Sequence, residues 1–242
     1  QFAPALPTAP DPGVPYTPPP AGKLQKNKVA DGQTVQQTAL VDPTTRAPLS
    51  TTDWGYGDNH FYTWPGRTFQ VRSYEPLAVT WENKLVRPDK TPLPFLITGK
   101  DNSTDGFGNF TGRSVLDESL HWAYSLHGYT GYSIAENGVP IVPHVHGGHS
   151  DFQFDGNPEF FFSPNWAVKG PQWVQKEYLY DNSQPAGTVW YHDHALGITR
   201  LNVYTGMAGF SIIRDNFDTG KKYNPLELPV FPSEAAVAFQ DR

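Results

Sequence analysis

Two short histidine pairs carry the chemistry of this chain: His144-Val145-His146, followed by Gly147-Gly148, and His192-Asp193-His194. Both close runs that read as β-strand. Residues 139–146 are rich in Val and Ile, and residues 187–194 in Thr, Val, Trp and Tyr. In a strand, residues i and i+2 share a face, so each pair presents two imidazoles side by side. Neutral imidazole is the commonest protein metal ligand and suits copper, zinc, iron and nickel. Four imidazoles from neighbouring strands could hold a metal cluster between them. A single zinc-type site is the alternative, though it more often takes three ligands and a water. Gly147 and Gly148 would let a neighbouring group approach the ligands closely, or simply end the strand in a turn. The glycines break strand geometry before His149, so His149 is not expected as a ligand. His60, His121 and His127 read as surface or hydrogen-bonded core residues.

Other segments must position these pairs. Residues 68–83 alternate well, with Phe69 and Val71 on one face. Leu77, Val79 and Trp81 follow after a break at Glu75-Pro76, which predicts two short strands. Residues 208–214 and 235–240 read as further strands. The best helical candidate is short, residues 196–204. Short strands, Gly/Pro turns and little helix predict an all-β protein, a Greek-key β-sandwich or barrel. Residues 1–20 hold eight prolines and read as a solvated, extended arm. Residues 21–214 form the first domain, with 93–138 as a long surface excursion. Residues 215–233 read as an interdomain linker. Residues 234–242 then open a second domain, whose sheet partners lie on another chain.

The chain has 242 residues, 24 Pro, 22 Gly and no Cys. A length of this order supports a sizeable core without disulfides. Zero Cys excludes disulfides, iron–sulfur ligation, a thiol nucleophile and any copper–thiolate centre within these residues. The net charge of −6, with no Lys/Arg cluster, argues against a nucleic-acid or anionic-membrane partner. No apolar run approaches the length of a membrane-spanning helix. The chain begins at Gln1, which is read as a mature secreted chain after signal-peptide removal. Two sequons, at Asn102 and Asn109, are candidate glycosylation sites and support secretion.

The run from His144 to Gly148 and the run Trp190-Tyr-His-Asp-His-Ala-Leu-Gly-Ile-Thr-Arg-Leu-Asn-Val-Tyr-Thr-Gly-Met-Ala-Gly-Phe210 resemble the first two copper motifs of multicopper oxidases. The resemblance is to the branch of spore-coat laccases, bilirubin oxidases and phenoxazinone synthases, and to its N-terminal portion only. Asp155-Gly156-Asn157-Pro158-Glu159 and Gln240-Asp241-Arg242 fit the same branch. It implies a cupredoxin-like domain and assigns roles. His144 would bind a type 2 copper, His146 and His192 one copper of a type 3 pair, and His194 the other. Four more His and a Cys-bound type 1 copper would lie on a companion chain with the C-terminal cupredoxin domains. That chain is expected to come from the same precursor, cleaved after Arg242. The implied activity couples one-electron oxidation of a small reducing substrate, phenolic or similarly aromatic, to four-electron reduction of O2 to water. Asp155 stands where the resemblance places a proton relay; an Asp-Gly turn is the plainer alternative. Asp193 is expected on the opposite face, supporting the ligands from behind by hydrogen bonding or packing. Trp190 shares the face of His192 and His194, as a wall of the cluster or as core. Arg200 and Asn202 belong to the resemblance without a role derivable from sequence. Two other functions stay open: a metal-binding cupredoxin without oxidase activity, and an inactive structural homologue.

Overall fold

The computed structural model describes residues 16, 23–58, 61–93, 132–231 and 233–240. The sequons at Asn102 and Asn109, together with His60, His121, His127 and nearly all of the Pro-rich arm, lie outside them. Among the described residues no helix is long and apolar enough to cross a membrane.

Among the described residues nine strands form two sheets. The first holds β1 (Gln25–Val41), β2 (Pro48–Asp58), β3 (Phe61–Thr63), β5 (Leu77–Asn83) and β7 (Glu177–Tyr180), in the order β3-β2-β1-β5-β7. The second holds β4 (Gly66–Arg72), β6 (Pro143–His146), β8 (Gly187–Asp193) and β9 (Ala208–Arg214), in the order β4-β9-β8-β6. Pairs β1/β5 and β4/β9 are parallel and the other ladders antiparallel. Non-consecutive strands therefore interleave, and the expected all-β, cupredoxin-like Greek-key sandwich is what the chain adopts.

The core between the sheets is aromatic. Tyr56 and Trp81 of the first sheet meet Tyr191 of the second, with ring centroids 5.2 and 5.7 Å away. Phe69 lies 5.1 Å from Tyr191 on the same side. Each ring buries a large apolar area, and tilted pairs add to that burial. Alternation along β8 follows at once: Tyr191 and Asp193 face inward, so Trp190 and His192 face away from the core. The histidines thus occupy the outer face of the second sheet, at its β6 edge.

Several expectations are corrected. The residue 139–146 strand shortens to Pro143–His146, because Pro140 and Pro143 lack an N–H and Val142 N donates to a side chain instead. A single turn, α1, covers Ile134–Asn137, and the helix expected at 196–204 shifts to α2, Thr199–Thr205, since Gly197 sits at φ +71°, outside the helical region. The 235–240 segment, whose expected sheet partners lie on another chain, joins no ladder among the described residues; Gln240 donates to the Tyr204 carbonyl at 2.9 Å.

The 93–138 excursion is too wide. Leu93, Tyr132 and Ile134 are buried in the core, and Tyr132 hydroxyl donates to the Gly138 carbonyl at 2.7 Å. The arm is not wholly solvated. Tyr16 is buried, stacks on Phe69 at 4.8 Å, and exchanges backbone hydrogen bonds with Thr68 and Gln70 at the β4 edge. Buried Arg214 pins the start and the far end of the segment read as an interdomain linker, 215–233, by ion pairs to Asp218 at 3.0 Å and to Glu234, just past it, at 2.5 Å.

Candidate metal centre

The ladder between β6 and β8 brings the two pairs together. His144 lies opposite His192, and His146 opposite Trp190. One nitrogen from each of His144, His146 and His192 falls within 4.8 Å of the other two. His194 follows the end of β8, and its ring is 5.1 Å from that of His144. All four predicted ligands therefore converge. His149 does not join them: its ring nitrogen Nδ1 pairs with the Ser183 carbonyl at 2.9 Å, on the exposed side of the turn. His146 is exposed and His192 buried, with His144 and His194 between.

The chemistry of the donor set fits a soft-to-borderline metal held by imidazoles. His192 Nδ1–H donates to the Asp193 carbonyl at 2.6 Å, which leaves Nε2 as its free lone pair. That Nε2 lies 3.2 Å from His146 Nδ1. Two nitrogens bound to one ion at about 2.0–2.1 Å in tetrahedral geometry stand roughly 3.3 Å apart. The observed separation needs almost no change to accept a cation. His144 Nδ1 and His194 Nδ1 are buried without hydrogen-bond partners. Burial, and then His194, hold His144 below its ordinary pKa. Burial pushes His192 down to about 4. Both rings are thus neutral near pH 7, the form that binds metal.

The supports behind the ligands are now visible. Trp190 packs against His192 at 4.1 Å and stacks on His146 at 5.3 Å, so it walls the cluster rather than filling the core. Asp193 is fully buried on the opposite face, as expected, and burial pushes its pKa up to about 6. Its carboxylate accepts from Val142 N at 2.8 Å, Ala195 N at 3.0 Å and Asn202 Nδ2 at 2.8 Å. Asp155 Oδ1 lies 3.6 Å from His144 Nδ1, and the Asp155 side chain is half exposed. An open cavity of about 680 Å³ adjoins the cluster, lined in part by Trp64, Trp190, Arg200, Tyr204 and Phe239.

Gly156 was legible in sequence only as a turn former. It sits at φ +82°, and a Cβ there would meet His144 ring atoms at 2.8–2.9 Å. Glycine is needed both for the backbone conformation and for the space the ring occupies. G156A is therefore expected to swing the His144 ring and to cost about 1–2 kcal/mol of stability from the left-handed backbone alone. Copper titration and thermal melting of the variant check both parts.

Fold and site together define an all-β domain that offers a cluster of imidazoles on the outer face of one sheet. Residues 137–218 match the multicopper oxidase family model. The chain is 34% identical over 178 residues to a laccase of Bacillus stratosphericus, spanning 74% of this chain and 28% of the laccase. A laccase of Bacillus subtilis (strain 168) is 32% identical over 189 residues, spanning 78% of this chain and 29% of that protein. A bilirubin oxidase of Albifimbria verrucaria is 42% identical over 98 residues, spanning 38% and 15%. A solved multi-copper oxidase from Pediococcus acidilactici superposes with a TM-score of 0.49 at 19% identity, over 90% of this chain and 31% of that one. The chain belongs to the multicopper oxidase family. It spans less than a third of the length of the two laccases.

Proposed function

We propose that this chain is the N-terminal portion of a laccase-like multicopper oxidase. The observation that carries the reading is the convergence of His144, His146, His192 and His194 on one sheet face within a family that binds copper. In this reading His144 holds a type 2 copper, His146 and His192 one type 3 copper, and His194 the other. The 3.2 Å approach of His146 and His192 nitrogens supports placing those two on one ion. Bound copper would supply reduction of O2 to water by four electrons drawn from one-electron oxidations of a reducing substrate. The names of the relatives, laccase and bilirubin oxidase, support an aromatic reductant. The remaining ligands and the type 1 copper are assigned to further cupredoxin domains on a companion chain, because these residues contain no Cys.

The chain's own residues then orient and protect the site. The β6/β8 register fixes the imidazoles, and Trp190 shields two of them from water on one side. Asp155 stands between water and His144, with half its side chain exposed and an oxygen 3.6 Å from the ring. A carboxylate so placed can take a proton from solvent and pass it inward. D155N is expected to keep its copper and slow oxygen reduction by about 10²-fold, with an altered pH profile. An unchanged rate and pH profile would remove Asp155 from this role.

The function itself is tested on the copper-loaded native protein, with its companion domains, by copper analysis and oxygen uptake against a panel of phenols, bilirubin and Mn²⁺. Four substrate electrons consumed per O2, without hydrogen peroxide, is the expected stoichiometry. Bound copper without oxygen uptake would favour a metal-binding homologue instead.

A further inference from the structure

Helix α2 is short, and its one fully buried residue is polar, Asn202. A buried helical position that served packing alone would carry an apolar side chain, since burying an amide costs free energy unless it is hydrogen-bonded. Asn202 Nδ2 donates to Asp193 Oδ2 at 2.8 Å and reaches the Pro140 carbonyl at 3.4 Å. Both neighbours are acceptors, so the amide orientation is forced, and neither Asp nor a hydrophobic residue could replace the donor. The backbone carbonyl of Asn202 accepts from Met207 N at 3.1 Å, just before β9.

The partner of this amide connects the two histidine pairs. Asp193 lies between His192 and His194, and its carboxylate grips Val142 N, two residues before His144, and Ala195 N, one residue after His194. One carboxylate thus tethers both strand ends that carry imidazoles, and Asn202 fixes that carboxylate from a third side. We propose that Asn202 is a positioning residue: through Asp193 it sets the separation of the two histidine pairs and so the affinity of the site for copper. The proposal rests on the reading of the cluster as a copper site. Partners behind metal ligands typically change affinity by roughly 10–100-fold when removed, because small ring displacements weaken several bonds at once.

The test compares N202A and N202D with wild type and with V79A, all as the copper-loaded native protein. Val79 is a fully buried core residue of β5, on the other sheet, and V79A serves as a control for lost stability. Each protein is challenged with a graded copper chelator. Residual copper and the near-ultraviolet absorption of the paired coppers are recorded, and the copper-free forms are melted separately. N202A is expected to release copper at a roughly 10- to 100-fold lower chelator concentration than wild type. N202D, which sets a second carboxylate against Asp193, is expected to release it more readily still. V79A is expected to melt lower yet hold copper as wild type does. Copper retention by both Asn202 variants equal to wild type, or equal losses in V79A and N202A, would overturn the proposal. A wild type that binds no copper would instead overturn the functional reading, and this one with it.

Discussion

The H144A/H146A variant is expected to fold, to melt within about 1 kcal/mol of wild type in its copper-free form, and to show no measurable oxygen uptake. The expected stability follows from the surroundings of the two rings. His146 is exposed, and His144 keeps a buried Nδ1 that lacks a hydrogen-bond partner, so truncation removes little favourable contact. The expected loss of function follows from the ladder register. His144 lies directly across from His192, and His146 Nδ1 is the near neighbour of His192 Nε2 at 3.2 Å. Removing both leaves His192 and His194 with ring centroids 6.0 Å apart and, among the described residues, no third imidazole beside them. Reduction of a type 1 copper by substrate, which the proposed function places in the companion domains, should survive. Stopped-flow bleaching of the blue band, measured beside oxygen uptake, separates the two. Oxygen uptake at the wild-type rate would mean that these imidazoles do not carry the reaction.

The D193A variant is expected to lose about 4 kcal/mol of stability even without copper. Three donors, from Val142, Ala195 and Asn202, converge on this one buried carboxylate. Each buried donor left unpaired costs about 1–3 kcal/mol. A drop of that size lowers the melting temperature of a chain this long by about 10 °C. D193N should fall between the two. Asn keeps one acceptor oxygen but turns an amide toward a donor, so at least one of the three bonds becomes a clash. Chemical denaturation of the copper-free variants gives both values, and a loss below about 1 kcal/mol for D193A would show that water replaces the carboxylate. The contrast with H144A/H146A lies in what each change removes: the two imidazoles hold little of the fold, whereas the carboxylate of Asp193 holds the backbone on either side of them.

Much of the second sheet was readable from sequence. The break at Glu75-Pro76 separates β4 from β5, and β9 runs over the predicted residues. In β4 and β5 apolar and polar residues alternate because one face is buried, whereas β9 is marked by its short β-branched run at Ile212 and Ile213. By contrast, β1 and β2 run through a polar ribbon, KNKVADGQTVQQT and its partner, with Val35 and Leu49 exposed. Their ends obey no binary pattern, since neither face is buried there, and backbone pairing, helped by the Gln36 side chain on the Trp64 backbone, extends the ladder. The Pro-rich arm misled for a related reason. Composition describes a segment on average, while Tyr16 is anchored singly, by a ring on Phe69, an Arg67 guanidinium 4.1 Å from its centroid and two backbone hydrogen bonds.

The site divides along the same line. Residue types and the i, i+2 spacing already determined that two imidazoles would stand together in each pair, that Trp190 would share their face and that Asp193 would oppose it. Those are properties of one strand's pleat and need no partner. Zero Cys likewise settled that no thiolate copper could be held by these residues. Tertiary structure decided the rest: that His144 faces His192 rather than a residue one step away, that Gly156 leaves room for the His144 ring, and that Asn202 closes on Asp193. Each of these depends on contact between separate elements, nine residues apart for Asn202 and Asp193 and 51 for Val142 and Asp193. A one-residue slip between β6 and β8 would keep every local pattern in the sequence and turn one pair of imidazoles away from the other. Only the packing of Tyr191 and Val145 into the core, with the hydrogen bonds at the ends of the two strands, excludes that slip.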